Sequence, residues 1–204
     1  MAKVHPQVLA SPTSSKQEVF TLWMKSLIFS SNGCVVFDSS GEIIYRVDNY
    51  DHKCSNQVYI MDATGKILFT IVKKNFSVLG MWEGYRSTDI DTSINDEKPR
   101  FRVRKILRIR MILRFFRGYS FYKVVIRLNE NQRCEYIMEN QRNLKSSCKI
   151  IDTFGELVAE VKRKITTSGV ALGEDVLTMV VEPHIDHSLI MGLVVVLGLI
   201  NHKL

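Results

Sequence analysis

A chain of 204 residues with 46% hydrophobic and 24% charged side chains lies well outside the low-apolar, high-charge composition of disorder, and it is long enough for one large β domain or two small ones. The net charge of +7 is concentrated in one place, since Lys98 to Arg117 holds nine basic residues and no acidic one. One basic element on a nearly neutral body excludes a generally adhesive surface and points to a local electrostatic partner.

Residues 1–18 carry Pro6, Pro12 and a Ser/Thr cluster without apolar periodicity, which predicts a flexible lead-in to a single domain over residues 19–204. Met1 to Glu18 is polar and reads as no secretory signal, and Cys34, Cys54, Cys134 and Cys148 are widely spaced with no Cys-x-x-Cys. Four reduced thiols in a cytosolic or nuclear protein are therefore expected, and secretion is not. Ala2 offers no myristoylation site and Asn201 to Leu204 no prenylated cysteine, so no lipid anchor is expected.

From Phe20 onward the dominant signal is a repeated hairpin built on Asp-x-x-Gly, at Asp38-Ser39-Ser40-Gly41, Asp62-Ala63-Thr64-Gly65 and Asp152-Thr153-Phe154-Gly155. Aspartate at the first turn position caps the backbone, and glycine three residues later accepts positive φ. Two, four and six residues past each glycine stand Ile43, Tyr45, Val47, then Ile67, Phe69, Ile71, then Leu157, Ala159, Val161. All are apolar, as the buried face of a strand requires. A fourth hairpin is predicted around Asn129-Glu130-Asn131. Hairpins at short intervals make a meander, and closing it into a barrel removes its edges.

Between the second hairpin and the fourth, Asp89 to Asn95 imitates the start of a calcium loop, but Ile94 stands where glycine is needed and Arg100 where the final glutamate belongs. A polar loop is expected there and no metal. The basic stretch that follows has the period of strands. Arg100, Arg102, Arg104, Arg108, Arg110 and Arg114 occupy even positions, while Phe101, Val103, Leu107, Ile109, Met111, Leu113 and Phe115 occupy odd ones. The arginines then point one way and the apolar residues the other. A run of this length predicts a bend near Lys105 or two successive strands. Arginines on one face recur about every 6.8 Å at about 3.4 Å per residue, a ladder able to meet several phosphates at once.

Leu189 to Ile200 contains no charged or strongly polar side chain. As a helix it would be roughly 18 Å long, against about 30 Å of bilayer core, so no transmembrane span is expected. A helix apolar on all sides must be enclosed, with Asp186 or Ser188 as its cap. Gly192, Gly198 and Val194-Val195-Val196 argue against a helix by propensity, which keeps a buried strand as the alternative.

Taken together, these residues resemble the plant LURP-one-related proteins, a family similar to tubby C-terminal domains and phospholipid scramblases. The resemblance runs from about Phe20 to Ile200. It is carried by Leu22 to Leu27, Gly33 with Val36-Phe37-Asp38, Arg46-Val47-Asp48-Asn49-Tyr50, Met61 to Lys66, Trp82-Glu83-Gly84-Tyr85 and Asp186 to Val196. It implies a mainly β fold, a closed antiparallel barrel of about twelve strands enclosing a hydrophobic C-terminal helix near residues 187–202. Tubby domains bind phosphoinositides and scramblases act at membranes, so the resemblance also implies a phosphoinositide or other anionic phospholipid partner at the membrane periphery, and a signalling or defence role.

Catalytic signatures do not surface: the chain has no Gly-x-Ser-x-Gly, no phosphate-cradling Gly-x-x-x-x-Gly-Lys and no His-Glu-x-x-His. His184 and His187 read as loop or cap residues and not as a metal pair. The expected function is thus a noncatalytic binding module, without cofactor or metal, using the six arginines at 100, 102, 104, 108, 110 and 114 on lipid headgroups. The alternatives are a solvated barrel face, an acidic protein partner, a nucleic acid, for which stacking aromatics on the basic face are scarce, or an enzyme built in the barrel mouth.

Overall fold

Asp38, Asp62 and Asp152 each fold their hairpin in the same way. One carboxylate oxygen accepts the backbone N–H groups two and four residues on, from Ser40 and Glu42, Thr64 and Lys66, and Phe154 and Glu156, at 2.8–3.0 Å. Gly41, Gly65 and Gly155 have φ of +88°, +89° and +83°, the left-handed region where a side chain is costly. The Ser40 hydroxyl bonded to Asp38, and the Thr64 hydroxyl bonded to Asp62, hold these two carboxyls below the ordinary aspartate range.

The structure, a computed structural model, describes residues 14–24, 32–49, 57–74, 80–87, 98–106, 119–141, 147–166 and 168–201. The first six strands are β1 (Glu18–Trp23), β2 (Asn32–Phe37), β3 (Ile43–Asn49), β4 (Gln57–Asp62), β5 (Ile67–Lys74) and β6 (Met81–Arg86). After them come β7 (Phe101–Lys105), β8 (Tyr119–Arg127), β9 (Arg133–Gln141), β10 (Cys148–Asp152), β11 (Leu157–Arg163) and β12 (Val176–Val181), followed by the helix α1 (His187–Ile200). Each strand pairs antiparallel with its chain neighbours, and β1 pairs with β12 from Glu18↔Val181 to Trp23↔Val176, so the barrel is closed. This is the twelve-stranded barrel the resemblance implies. Residues 1–13 of the predicted lead-in and Cys54 fall outside the described residues; at its end the Ser14 carbonyl accepts from the His184 amide at 2.8 Å and β1 already starts at Glu18, and Cys34, Cys134 and Cys148 are free thiols.

The strand faces depart from simple alternation at one repeated place. Beside the three Asp-x-x-Gly turns the register slips, at Val36/Phe37, Ile60/Met61 and Ile150/Ile151. Each slip is a bulge that adds one residue to the outgoing strand, Ile44, Leu68 or Val158, and turns the residue before it out of the core. Ile67 and Leu157, expected inside, are therefore 37% and 40% exposed, and Ile43 is half-buried. Val158 takes the inward place, and Tyr45, Val47, Phe69, Ile71, Ala159 and Val161 are buried as expected.

The C-terminal segment is a helix inside the barrel, with His187 to Gly198 all buried. Its surroundings override the poor propensity of its valines and glycines, because a helix with no polar face gains most by complete enclosure. Asp186 caps it, Oδ1 accepting from the Ser188 and Leu189 amides at 3.0 and 3.2 Å. At the far end Asn140 Nδ2 donates to Asn201 Oδ1 at 3.3 Å.

One close approach sets how tightly the helix meets the wall. The ring of Phe101 lies over its register partner Gly84, where a Cβ would come within 2.1 Å of the ring, and also against Gly192 of α1, where a Cβ would come within 2.9 Å. Gly84→Ala forces this buried ring to move, and should destabilise the protein by about 1–3 kcal/mol or more. Shrinking the ring in the double variant Gly84→Ala/Phe101→Leu should recover part of the loss in urea denaturation; strictly additive losses would refute the coupling.

The lumen demands its occupant for a simpler reason. Eight buried apolar side chains, Leu189–Met191 and Leu193–Leu197, at roughly 1.5–3 kcal/mol each match or exceed the net stability of a typical domain, about 5–15 kcal/mol. Ending the chain after Glu182 should give insoluble protein with no cooperative thermal transition. A truncated chain that melts like the full one would refute the enclosed helix as the core.

Candidate functional site

β7 is the described strand of the basic stretch, and its alternation is as expected. Phe101 and Val103 are buried, Arg102, Arg104 and Lys105 are exposed, and the strand ends at Lys105. Arg108, Arg110 and Arg114 lie outside the described residues.

Arg100 departs from the expected ladder. It precedes β7 at the barrel rim, where its amide donates to Gly84 O at 2.7 Å. The side chain is only 9% exposed, and it donates through Nη1 to the carbonyls of Arg127 and Leu128, the latter at 2.9 Å. Alternation places side chains only while the strand continues, and at position 100 two carbonyls at the β8–β9 turn draw the guanidinium back over the barrel mouth.

Arg102 and Arg104 share the outer face with side chains from neighbouring strands. Arg102 Nε donates to Glu83 Oε1 at 2.7 Å, and Lys74 Nζ lies 3.7 Å from the other carboxylate oxygen. Glu83 is itself buried and accepts the Tyr85 hydroxyl at 2.6 Å. Burial alone would raise its pKa, but the Tyr85 hydroxyl and the Arg102 guanidinium outweigh it and hold the carboxyl below the glutamate range. The Tyr85 hydroxyl is pushed up to about 12 by burial and by its bond to Glu83.

Arg104 stands opposite Lys123 in register and places Nε 3.2 Å from Met81 Sδ. Lys123 pairs with Glu135 at 2.8 Å, and Lys73 and Lys74 lie 5.7 Å from the ring centres of Trp82 and Tyr85. The result is an outer-face band of cations, Lys74, Arg102, Arg104 and Lys123, over β5 to β8 with one buried carboxylate among them, while Lys73 and Lys105 alternate to the other face near the ends of their strands. Sequence reading saw the arginines but not Glu83, Lys74 or Lys123, which reach the band only through strand pairing. The one available signal was Glu83 and Tyr85 two residues apart, hence on one face of β6.

A second polar cluster sits where α1 enters the barrel. Tyr45 Oη is 2.6 Å from His187 Nδ1, the Phe20 ring is 5.3 Å from the imidazole, and Arg86 Nη1 lies 3.5 Å from Asp186 Oδ2. Burial pushes the Tyr45 hydroxyl upward and the His187 imidazole downward, the latter opposed by Glu18 and Asp186. His184 is exposed, with φ +64°, whereas His187 is buried. Among the described residues no three His, Cys, Asp or Glu side chains group as metal ligands, and no helix is long and apolar enough to cross a membrane.

The sequence model of the LURP-one-related family matches residues 18–198, from the first strand through nearly all of the enclosed helix. The chain belongs to the LURP-one-related family. Protein LURP-one-related 3 of Arabidopsis thaliana is 49% identical over 197 residues, covering 94% of this chain and 83% of the relative. Protein LURP-one-related 11 of the same plant is 44% identical over 212 residues, covering 98% and 89%. The X-ray structure of another Arabidopsis thaliana protein superposes with a TM-score of 0.62 at 17% identity, covering 93% of this chain and 94% of that one, a likeness of fold alone. None of these likenesses brings a ligand or a reaction with it, so the chemistry rests on the residues described above.

The buried imidazole has a pH consequence. His187 has a folded pKa below its ordinary 6.5, so between the two values the unfolded chain binds more protons and stability rises with pH. The contribution is complete above the unfolded value and is lost progressively as pH falls below it. From about pH 7.5 to about pH 5.5, the wild-type melting temperature should fall more than that of His187→Asn; parallel curves would refute a neutral buried His187.

Proposed function

We propose that the chain is a noncatalytic module that docks peripherally on anionic phospholipid surfaces, phosphoinositide-bearing ones included, through the outer basic band of β5 to β8. The observation that carries this reading is Arg104, exposed on the outer face of β7 with Lys123 facing it across the strands and Lys74 two strands away, and with the exposed Lys105 and Lys73 beside them near the strand ends, on the opposite face by alternation. Guanidinium and ammonium groups displayed on a convex barrel wall hold charge and do not move protons. A wall of this kind suits a dispersed sheet of headgroups better than a single enclosed substrate. Each basic residue near an anionic bilayer contributes about 1 kcal/mol, so a handful gives reversible, salt-sensitive attachment without a pocket. Half-buried Tyr119 and Phe121, stacked at 6.3 Å on the neighbouring strand, supply the amphipathic rings favoured at headgroup depth.

Arg102 is a poor probe of this reading because its reversal would leave the buried Glu83 facing a second carboxylate. Arg104→Glu/Lys105→Glu is the cleaner variant. It should weaken sedimentation with anionic liposomes by about 30-fold or more, given about 1 kcal/mol per residue, while the melting temperature stays nearly unchanged, since exposed charges contribute little to folding. Wild-type binding should also collapse in about 0.5 M salt. Liposome binding that survives both changes, or clear preference for oligonucleotides over liposomes, would overturn the proposal.

A further inference from the structure

We propose that the hairpin joining β11 to β12 is a wedge that enters the headgroup layer of an anionic bilayer and so fixes which end of the barrel meets the membrane. This rests on the lipid-docking reading above and adds an orientation and a depth to it. Beyond Arg163 the two arms continue as a hairpin, with Ile165 bridged to Ala171 and the Leu172 amide donating to Lys164 O at 2.9 Å. Ile165 and Val170, near the tip, are 60% and 62% exposed. From Ile165 to Gly173 the sequence carries no charged side chain. An apolar tip held out in water marks a surface that meets something apolar.

Pairing and hydrogen bonding select a bilayer as that partner. Because Ile165 lies opposite Ala171 and Thr166 opposite Val170, Ile165 and Val170 point to opposite sides of the ribbon. A protein pocket covers one side, whereas a layer that surrounds the tip covers both. The tip is also closed on itself: the Thr166 amide donates to Val170 O at 2.8 Å, the Gly169 amide to Thr166 O at 2.9 Å and the Val170 amide to Thr166 Oγ1 at 3.1 Å. Entry into a layer poor in water requires backbone groups satisfied in this way. Just behind the tip, Lys164 Nζ donates to Thr21 Oγ1 at 2.7 Å, and Trp23, 38% exposed, donates through Nε1 to Asp175 Oδ2 at 3.3 Å. A cation and an amphipathic indole suit headgroup depth. Glu174 and Asp175 follow on the other arm, and their carboxylates set the depth at which insertion stops. In this up-and-down barrel β5, β7 and β11 run toward the same end, so Lys73, Lys74 and Lys105, at the ends of β5 and β7, approach the surface together with the wedge.

Two variants of the full chain, both unchanged in charge, test this on vesicles of phosphatidylserine and phosphatidylcholine. Val170→Trp places a fluorophore at the tip. Its emission should move to shorter wavelength on the vesicles and be quenched by lipids brominated high on the acyl chain, beyond any quenching of Trp23 and Trp82 in the wild-type chain. Ile165→Ser/Val170→Ser should weaken sedimentation with the same vesicles by about 10-fold or more, from the apolar area left in water, with the wild-type melting temperature retained. A wild-type chain that does not sediment with these vesicles would remove the lipid reading and the wedge together. If the wild-type chain binds, either an unquenched tip fluorophore or a serine variant that binds equally well would overturn the wedge alone and leave the basic band as the contact. A wild-type dimer in sedimentation velocity without vesicles, dispersed by the serine variant, would also overturn it, making a second copy the partner of the tip.

Discussion

Everything in this molecule is arranged around a helix that cannot face water on any side. Because His187 to Gly198 are all buried, the wall must pass completely around them, and a sheet that surrounds an axis has no free edge. Barrel closure and helix burial are therefore one requirement. The lumen width is tuned where Phe101 lies between Gly84 and Gly192, two positions at which the absence of a side chain is what lets ring, strand and helix share one space. The same enclosure sets the chemistry at the helix entrance, where Tyr45, His187, Asp186 and Arg100 are drawn out of water together.

Much of this fold was legible in the sequence because its signals are local. An Asp-x-x-Gly turn is decided by four residues, and strand faces by a period of two. The outward turn of Ile67 and Leu157 was not legible, because a bulge is a property of two strands and leaves no mark on the composition of one. The helix was ambiguous for a related reason. Its glycines disfavour a helix and its valines favour a strand, and only the tertiary fact of enclosure overrides both.

The candidate site divides along the same line. Arg102 and Arg104 were readable from periodicity, since β7 continues through both. Arg100 was not, because its position is set by carbonyls almost thirty residues away. Glu83 was hidden for the opposite reason: a lone glutamate in an apolar strand looks like an ordinary exposed charge until pairing brings Arg102, Lys74 and Tyr85 around it. A buried ion cluster of this kind adds little net stability, and losing one partner costs far more than the cluster gains. Its effect is to fix which basic side chains stay tethered to the wall and which project from it.

The strand order carries a consequence for synthesis. Every strand lies beside its neighbours in the chain, except that β1 must find β12 more than 150 residues later. Ten of the twelve strands can pair with a chain neighbour on each side as they emerge from the ribosome, with low loop-closure cost. The first strand has no second neighbour until all the other strands exist, and the helix that fills the lumen is made after all twelve. During translation the growing sheet is thus an open, apolar trough with an unpaired leading edge, the state most exposed to aggregation. A delay between completing β11 and completing α1 would lengthen that interval, so this fold is expected to be most vulnerable until Val176–Ile200 has been made.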